Sequence, residues 1–76
     1  MFMPRLTGTI EGGAGAFVQL RDQGGDFVGE VRADAEGRFT LYPIPGEWTV
    51  ICLTPGDRRE QHVDVGRDDV DIRVPA

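Results

Sequence analysis

The stretch EGRFTLYPIPGEWTV, residues Glu36 to Val50, decides how this chain is read. Arg38, Thr40 and Tyr42 alternate with Phe39 and Leu41, the period-two pattern of a strand with one buried face. Pro43 and Pro45 then lack the N–H groups that a central strand must donate. Gly46 releases the chain, and alternation resumes with Trp48, Val50 and Cys52 against Thr49, Ile51 and Leu53. The stretch therefore reads as two core strands and a rigid connection, with Ile44 expected to plug the end of the core between the prolines. It is architecture, not a chemical site. The second of these strands, Glu47 to Leu53, is largely apolar on both faces, as in a strand covered on both sides.

Working outward, the same alternation recurs at both ends of the chain. Arg5 to Ile10 places Leu6, Gly8 and Ile10 inward, and Ala16 to Arg21 places Ala16, Val18 and Leu20 inward with Phe17 on the outer face. Phe27 to Ala33 points Phe27, Gly29, Val31 and Ala33 inward and leaves Val28 outside. Arg38 to Tyr42 and Glu47 to Leu53 follow, then a strand around Glu60 to Val65 with Val63 and Val65 inward. Val70 to Val74 closes the chain with Val70, Ile72 and Val74 inward. The runs EGGAG (11–15), DQGGD (22–26), DAEG (34–37) and TPGD (54–57) carry turn chemistry, in which Asp bonds its own backbone and Gly takes positive φ. Short strands at roughly 8–12-residue spacing with such turns predict an all-β fold. The expectation is a seven-stranded antiparallel β-sandwich, one domain over residues 1–76, with Trp48 anchoring the core.

Bulk properties bound the function. With 39% hydrophobic and 28% charged residues the chain is an ordinary globular protein, not a disordered one. A net charge of −5 leaves no electrostatic footprint for nucleic acid or an anionic membrane. No apolar run approaches the roughly 20 residues of a membrane span, and Met1 to Arg5 is no signal peptide. A single cysteine, Cys52, excludes an internal disulfide, so a cytoplasmic location is expected. Ser, Asn and Lys are absent and all eight cations are Arg, which reads as codon bias before it reads as anion binding.

The reactive residue types do not assemble into a catalytic set. Cys52 falls on the Trp48/Val50 face and reads as a small core hydrophobe. His62 alternates with Val63 and Val65, which turns it outward beside Asp64. Without Ser there is no Ser-His-Asp triad, and a Cys52–His62 pair needs both side chains on one accessible face. One Cys and one His exclude a zinc site, and the acidic run RDDVD (67–71) reads as solubilising turn. No metal, cofactor or catalytic residue is expected. What remains is an interaction surface: outward Phe17, Val28 and Tyr42, and Arg58 and Arg59 in DRRE (57–60), which sit at a turn and can grip an anion or a partner carboxylate.

GAFVQLRD (15–22), FVGEVRADAEGRFTLYPIPGEWTV (27–50) and VDIRV (70–74) together resemble an actinobacterial family of small proteins. That resemblance implies a link to sulfur metabolism beside a rhodanese-type thiosulfate sulfurtransferase. The wider pattern, Gly-x-Phe and then Pro-Gly-x-aromatic-x-Val, is similar to carboxypeptidase regulatory-like and transthyretin-like sandwich domains. Members of the family usually carry an N-terminal segment with a cysteine that has no counterpart here. Transthyretin-like hydrolases resemble the chain in fold alone, since their several histidines and C-terminal motif are absent from it. The implied function is a non-enzymatic accessory or protein-interaction module docking on a sulfurtransferase. The alternatives are a sandwich that binds a sugar or small anion and an enzyme acting through Cys52. Self-association into a homodimer through an edge strand stays open, because a core this small is marginal alone.

Overall fold

The computed structural model describes residues 4–75 and contains seven strands among them: β1 (Leu6–Ile10), β2 (Phe17–Arg21), β3 (Phe27–Arg32), β4 (Arg38–Leu41), β5 (Gly46–Thr54), β6 (Asp57–Val65) and β7 (Val70–Val74). They form a 3-stranded sheet in the order β4-β1-β7 and a 4-stranded sheet in the order β3-β2-β5-β6. The all-β expectation holds, and β7 has the residues predicted for it. Antiparallel pairing throughout does not hold. β7 runs parallel to β1, from Leu6 opposite Val70 to Ile10 opposite Val74. The cause is where β6 finishes: at the end of the molecule where β1 begins. The link 66–69 crosses between sheets without changing ends, and there Val70 N–H donates to the Arg5 carbonyl at 2.9 Å. β7 must then run in the direction of β1.

One apolar cluster joins the two sheets. Leu6, Ile10, Phe39, Leu41 and Val74 come from the first sheet; Val18, Leu20, Trp48, Val50, Cys52, Val63 and Val65 come from the second. Every inward residue predicted for β1, β2, β4 and β5 is buried. β3 and β4 form neighbouring edges on one side of the molecule, β6 and β7 on the other.

Two expectations about the core fail, each for a local reason. Ile44 does not plug it; its side chain is 67% exposed while Pro43 is buried. A buried indole N–H needs an acceptor, and the Ile44 carbonyl takes the bond from Trp48 Nε1 at 2.8 Å. Turning that carbonyl toward the core turns the side chain away from it. Phe27 does not face inward either. Leu20 lies opposite Gly29 but Arg21 lies opposite Phe27, which leaves Val28 as the extra residue of a β-bulge. A bulge shifts the alternation by one, so Phe27 emerges on the outer face, 54% exposed.

The turns follow their chemistry. Asp34 Oδ1 accepts from the N–H groups of Glu36 and Arg38, both at 2.9 Å. β5 and β6 are joined by Pro55 and Gly56 alone, since Thr54 already pairs with Asp57. With Gly56 at φ +80°, Pro then Gly is the sequence of a type II turn. β6 therefore starts at Asp57, earlier than the strand expected around Glu60.

Candidate functional site

The outer face of the four-stranded sheet carries the densest set of chemically distinctive side chains. Strand register lines them up in rows. Arg32, Phe17, Leu53 and Arg58 form the first; Glu30, Gln19, Ile51 and Glu60 the second; Phe27, Arg21, Thr49 and His62 the third; Glu47 and Asp64 close the face. An apolar spine runs across it. Phe17 is 47% exposed, Leu53 is half-buried, and Ile51 is only 6% exposed although it points away from the core cluster. The two apolar faces of the Glu47–Leu53 run thus have different occupants: the core on one side, and on the other a strip flanked in register by Gln19 and Glu60.

Arginines dress this spine. The Arg32 guanidinium stands 5.2 Å from the Phe17 ring centre and that of Arg21 5.6 Å from the Phe27 ring centre, within cation–π range. Arg21 Nη2 donates to Gln19 Oε1 at 3.0 Å, and Gln19 Nε2 donates to Glu30 Oε2 at 3.1 Å. Arg58 Nη2 pairs with Glu60 Oε1 at 3.2 Å, and Thr49 Oγ1 bonds His62 Nδ1 at 3.1 Å. Between the loop after β2 and strands β5 and β6 lies an open groove of about 490 Å³, lined in part by Arg21, Thr49, Ile51, Arg58, Glu60 and His62.

The residues expected to form an interaction surface are only partly brought together. Phe17 and Arg58 share the first row of this face. Val28 sits in the bulge of the β3 edge, 51% exposed. Tyr42 is 60% exposed but follows β4 in the other sheet, and lies near the opposite end of the molecule from Phe17. Phe17, Val28 and Tyr42 therefore do not make one patch. Arg58 and Arg59 do not make a pair, because neighbours in a strand point to opposite faces. Arg59 lies opposite Cys52. Its Nε bonds Asp57 Oδ2 at 2.9 Å and its Nη1 bonds the Glu11 carbonyl at 2.7 Å. Sequence reasoning missed Phe27, hidden by the bulge, and the role of Ile51 and Leu53, for which the doubly apolar run was the signal.

Cys52 and His62 fall on opposite faces of the sheet, so they do not form a nucleophile–base pair. Cys52 is 2% exposed; burial pushes its thiol pKa up, and the nearby Arg59 cation only partly opposes this. The native protein should therefore react with a colorimetric disulfide reagent far more slowly than the protein in denaturant; equal rates would remove Cys52 from the core. The sign of the pH effect follows. The native state holds this proton more tightly than the unfolded chain, so the thiol's contribution to stability is complete below its ordinary value of 9.0. It is lost as pH rises through the raised native value. Among the described residues no group of His, Cys, Asp and Glu is placed to hold a metal ion.

A family model described as "Protein of unknown function (DUF1416)" matches residues 5–74. Two relatives from Mycobacterium tuberculosis (strain ATCC 25618 / H37Rv), Uncharacterized protein Rv0814c and Uncharacterized protein Rv3118, are each 35% identical over 77 residues, covering 91% of this chain and 77% of the relative. An uncharacterized protein of Mycolicibacterium smegmatis (strain ATCC 700084 / mc(2)155) is also 35% identical over 77 residues, covering 91% of this chain and 86% of its own length. These relatives are mycobacterial, in keeping with the actinobacterial resemblance.

Proposed function

The chain belongs to the DUF1416 family of proteins of unknown function, and on that premise we propose that it is a non-enzymatic docking module whose working surface is the outer face of the four-stranded sheet. The observation that carries this reading is the row Arg32–Phe17–Leu53–Arg58. Single exposed apolar residues need no explanation. An aromatic ring under a stacked guanidinium, continuous with Leu53 and Ile51 and bounded by a second Arg, has the aromatic and Arg composition enriched at interface centres. Its partner is a protein that offers an apolar centre rimmed by carboxylates.

We take that partner to be a rhodanese-type thiosulfate sulfurtransferase in the cytoplasm, as the family resemblance implies. We read the two sheets and their shared core as a carboxypeptidase regulatory-like, transthyretin-like sandwich. The separation of Cys52 from His62 supports the non-enzymatic assignment. The open groove beside Arg21, Arg58, His62 and Thr49 favours a second reading, a module that binds a small anion.

The test is a titration of purified sulfurtransferase from Mycolicibacterium smegmatis against the labelled chain, followed by fluorescence anisotropy. Saturable binding is expected, and Phe17→Glu, which is exposed and spares the core, should weaken it about tenfold or more, equivalent to roughly 1.4 kcal/mol. The absence of binding at about 100 μM, well above the dissociation constant of a typical specific complex, would overturn the docking reading, as would equal binding by the variant. A melting temperature raised by millimolar carboxylate or sulfonate, without sulfurtransferase binding, would favour the second reading instead.

A further inference from the structure

We propose that β6 is a dimerisation edge. It pairs antiparallel with β6 of a second copy, in a single register centred on Gln61, and joins two four-stranded sheets into one continuous sheet. The proposal uses the edge of the sheet rather than its face, and stands or falls independently of the docking reading above.

Three observations carry it. The first is length. β6 is nine residues long and pairs only with β5, without a register shift. The other edges are shorter: β4 has 4 residues, β7 has 5 and β3 has 6 and is interrupted by the bulge at Val28. A long, regular, unpaired edge is a template for another strand.

The second is which peptide groups point away from β5. The turn of Pro55 and Gly56 closes on Thr54 and Asp57, which makes them a hydrogen-bonded pair. From there every second residue of β6 exchanges bonds with β5. The intervening Arg58, Glu60, His62 and Asp64 direct their N–H and C=O groups away from β5. Arg58 agrees with this, since its N–H is bonded by Asp57 Oδ1 at 2.9 Å. The same four residues place their side chains on the outer face.

The third is charge. Along that face β6 reads Arg58, Glu60, His62, Asp64: a guanidinium, a carboxylate, an imidazole able to hydrogen-bond a carboxylate, and a second carboxylate. Reversed, the order is its own complement. With Gln61 opposite Gln61, Arg58 meets the second copy's Asp64 and Glu60 meets the second copy's His62, twice each by symmetry. Centring on Glu60 instead puts Glu60 on Glu60 and Arg58 on His62. Centring on His62 puts Glu60 on Asp64. Opposite charges directly across an antiparallel pair stabilise it and like charges oppose it. The registers centred on Arg59 or Val63 oppose no like charges on this face but overlap only within 57–61 or 61–65. Charge and overlap together therefore select the self-pairing centred on Gln61. The contacts Arg58–Glu60 and His62–Glu60 within one copy lie at exposed positions and can exchange for cross-strand ones, while the bond between Thr49 Oγ1 and His62 Nδ1 leaves His62 Nε2 for the second copy's Glu60. The two-fold axis stands perpendicular to the sheet, so both Phe17 faces end up on the same side of the assembly.

Sedimentation equilibrium over a concentration series is the first measurement, with a mass of twice 8.3 kDa expected at the high end. Arg58→Glu alone and Asp64→Arg alone each place like charges opposite one another and should raise the dimer Kd about tenfold. The double variant Arg58→Glu/Asp64→Arg restores opposite pairing and should return Kd toward the parent value. Register is read separately. Non-hydrogen-bonded antiparallel neighbours have Cα atoms about 4.5 Å apart, within disulfide range, so Gln61→Cys should give a covalent dimer on oxidation. Arg59→Cys, facing Val63 of the second copy, should not, and buried Cys52 stays silent. A monomer at every concentration overturns the proposal, as does failure of the double variant to restore the dimer or cross-linking at 59 in place of 61. Dimers that ignore all these changes would belong to another surface and overturn it equally.

Discussion

Replacing Trp48 with alanine is expected to lower stability by about 3–5 kcal/mol, the range for deleting a large aromatic from a packed core. A domain of 76 residues has a total of only about 4–11 kcal/mol at typical per-residue values, so the variant should lose a large share of its stability and melt at a much lower temperature. Trp48 does two things at once. Its ring, 9% exposed, belongs to the cluster shared by both sheets and lies opposite Val63 in β6. Its Nε1–H holds the Ile44 carbonyl at 2.8 Å and so pins the connection between β4 and β5. Trp48→Phe separates the two roles: most of the apolar contact stays, the Ile44 carbonyl loses its donor, and the cost should fall to about 1–3 kcal/mol. Urea denaturation measures both, through the midpoint at constant slope. A Trp48→Ala protein with an unchanged melting temperature would show that the two sheets do not depend on this residue.

Local pattern carries some of this fold and none of its long-range geometry. Val70, Ile72 and Val74 announce β7 correctly, because alternation is a property of neighbouring residues, but nothing within VDIRV says that β7 lies parallel to β1. That follows from which end of the molecule the chain occupies after β6. Phe27 shows the same limit at closer range. Its inward assignment assumed unbroken alternation, and a bulge is set by the register against β2, not by the β3 sequence. For the candidate surface, Phe17 and the odd apolar face of Ile51 and Leu53 were visible as exceptions to the alternation. That they stand in one row with Arg32 and Arg58 depends on pairing across four strands. Arg58 and Arg59 look like a basic pair in a line of text, and the strand separates them onto two faces.

Gly37→Ala is the other substitution expected to cost most, on the order of 3 kcal/mol, and the reason is a close approach between distant parts of the chain. Gly37 sits at φ +77°, a conformation that costs a residue with a side chain roughly 1–2 kcal/mol. The larger part is steric. A Cβ at this position would press against the backbone carbonyl oxygen of Ile10, and a backbone carbonyl has no rotamer into which it can retreat. Neither residue is free to move. Ile10 N–H donates to the Gly37 carbonyl at 2.8 Å, Gly13 N–H donates to the Ile10 carbonyl at 3.0 Å, and the Ile10 side chain is 1% exposed in the core. Relieving the clash therefore lengthens the bond that ties the β3–β4 loop to the end of β1, or pulls Ile10 out of its packing. Gly56→Ala supplies the comparison. Its φ of +80° imposes a similar backbone strain, and nothing lies near the added methyl, so it should cost about 1–2 kcal/mol. The difference between the two variants under identical urea denaturation isolates the contact with Ile10. If both cost the same, the loop yields to the methyl group, and the close approach to the Ile10 carbonyl is not what makes position 37 demand glycine.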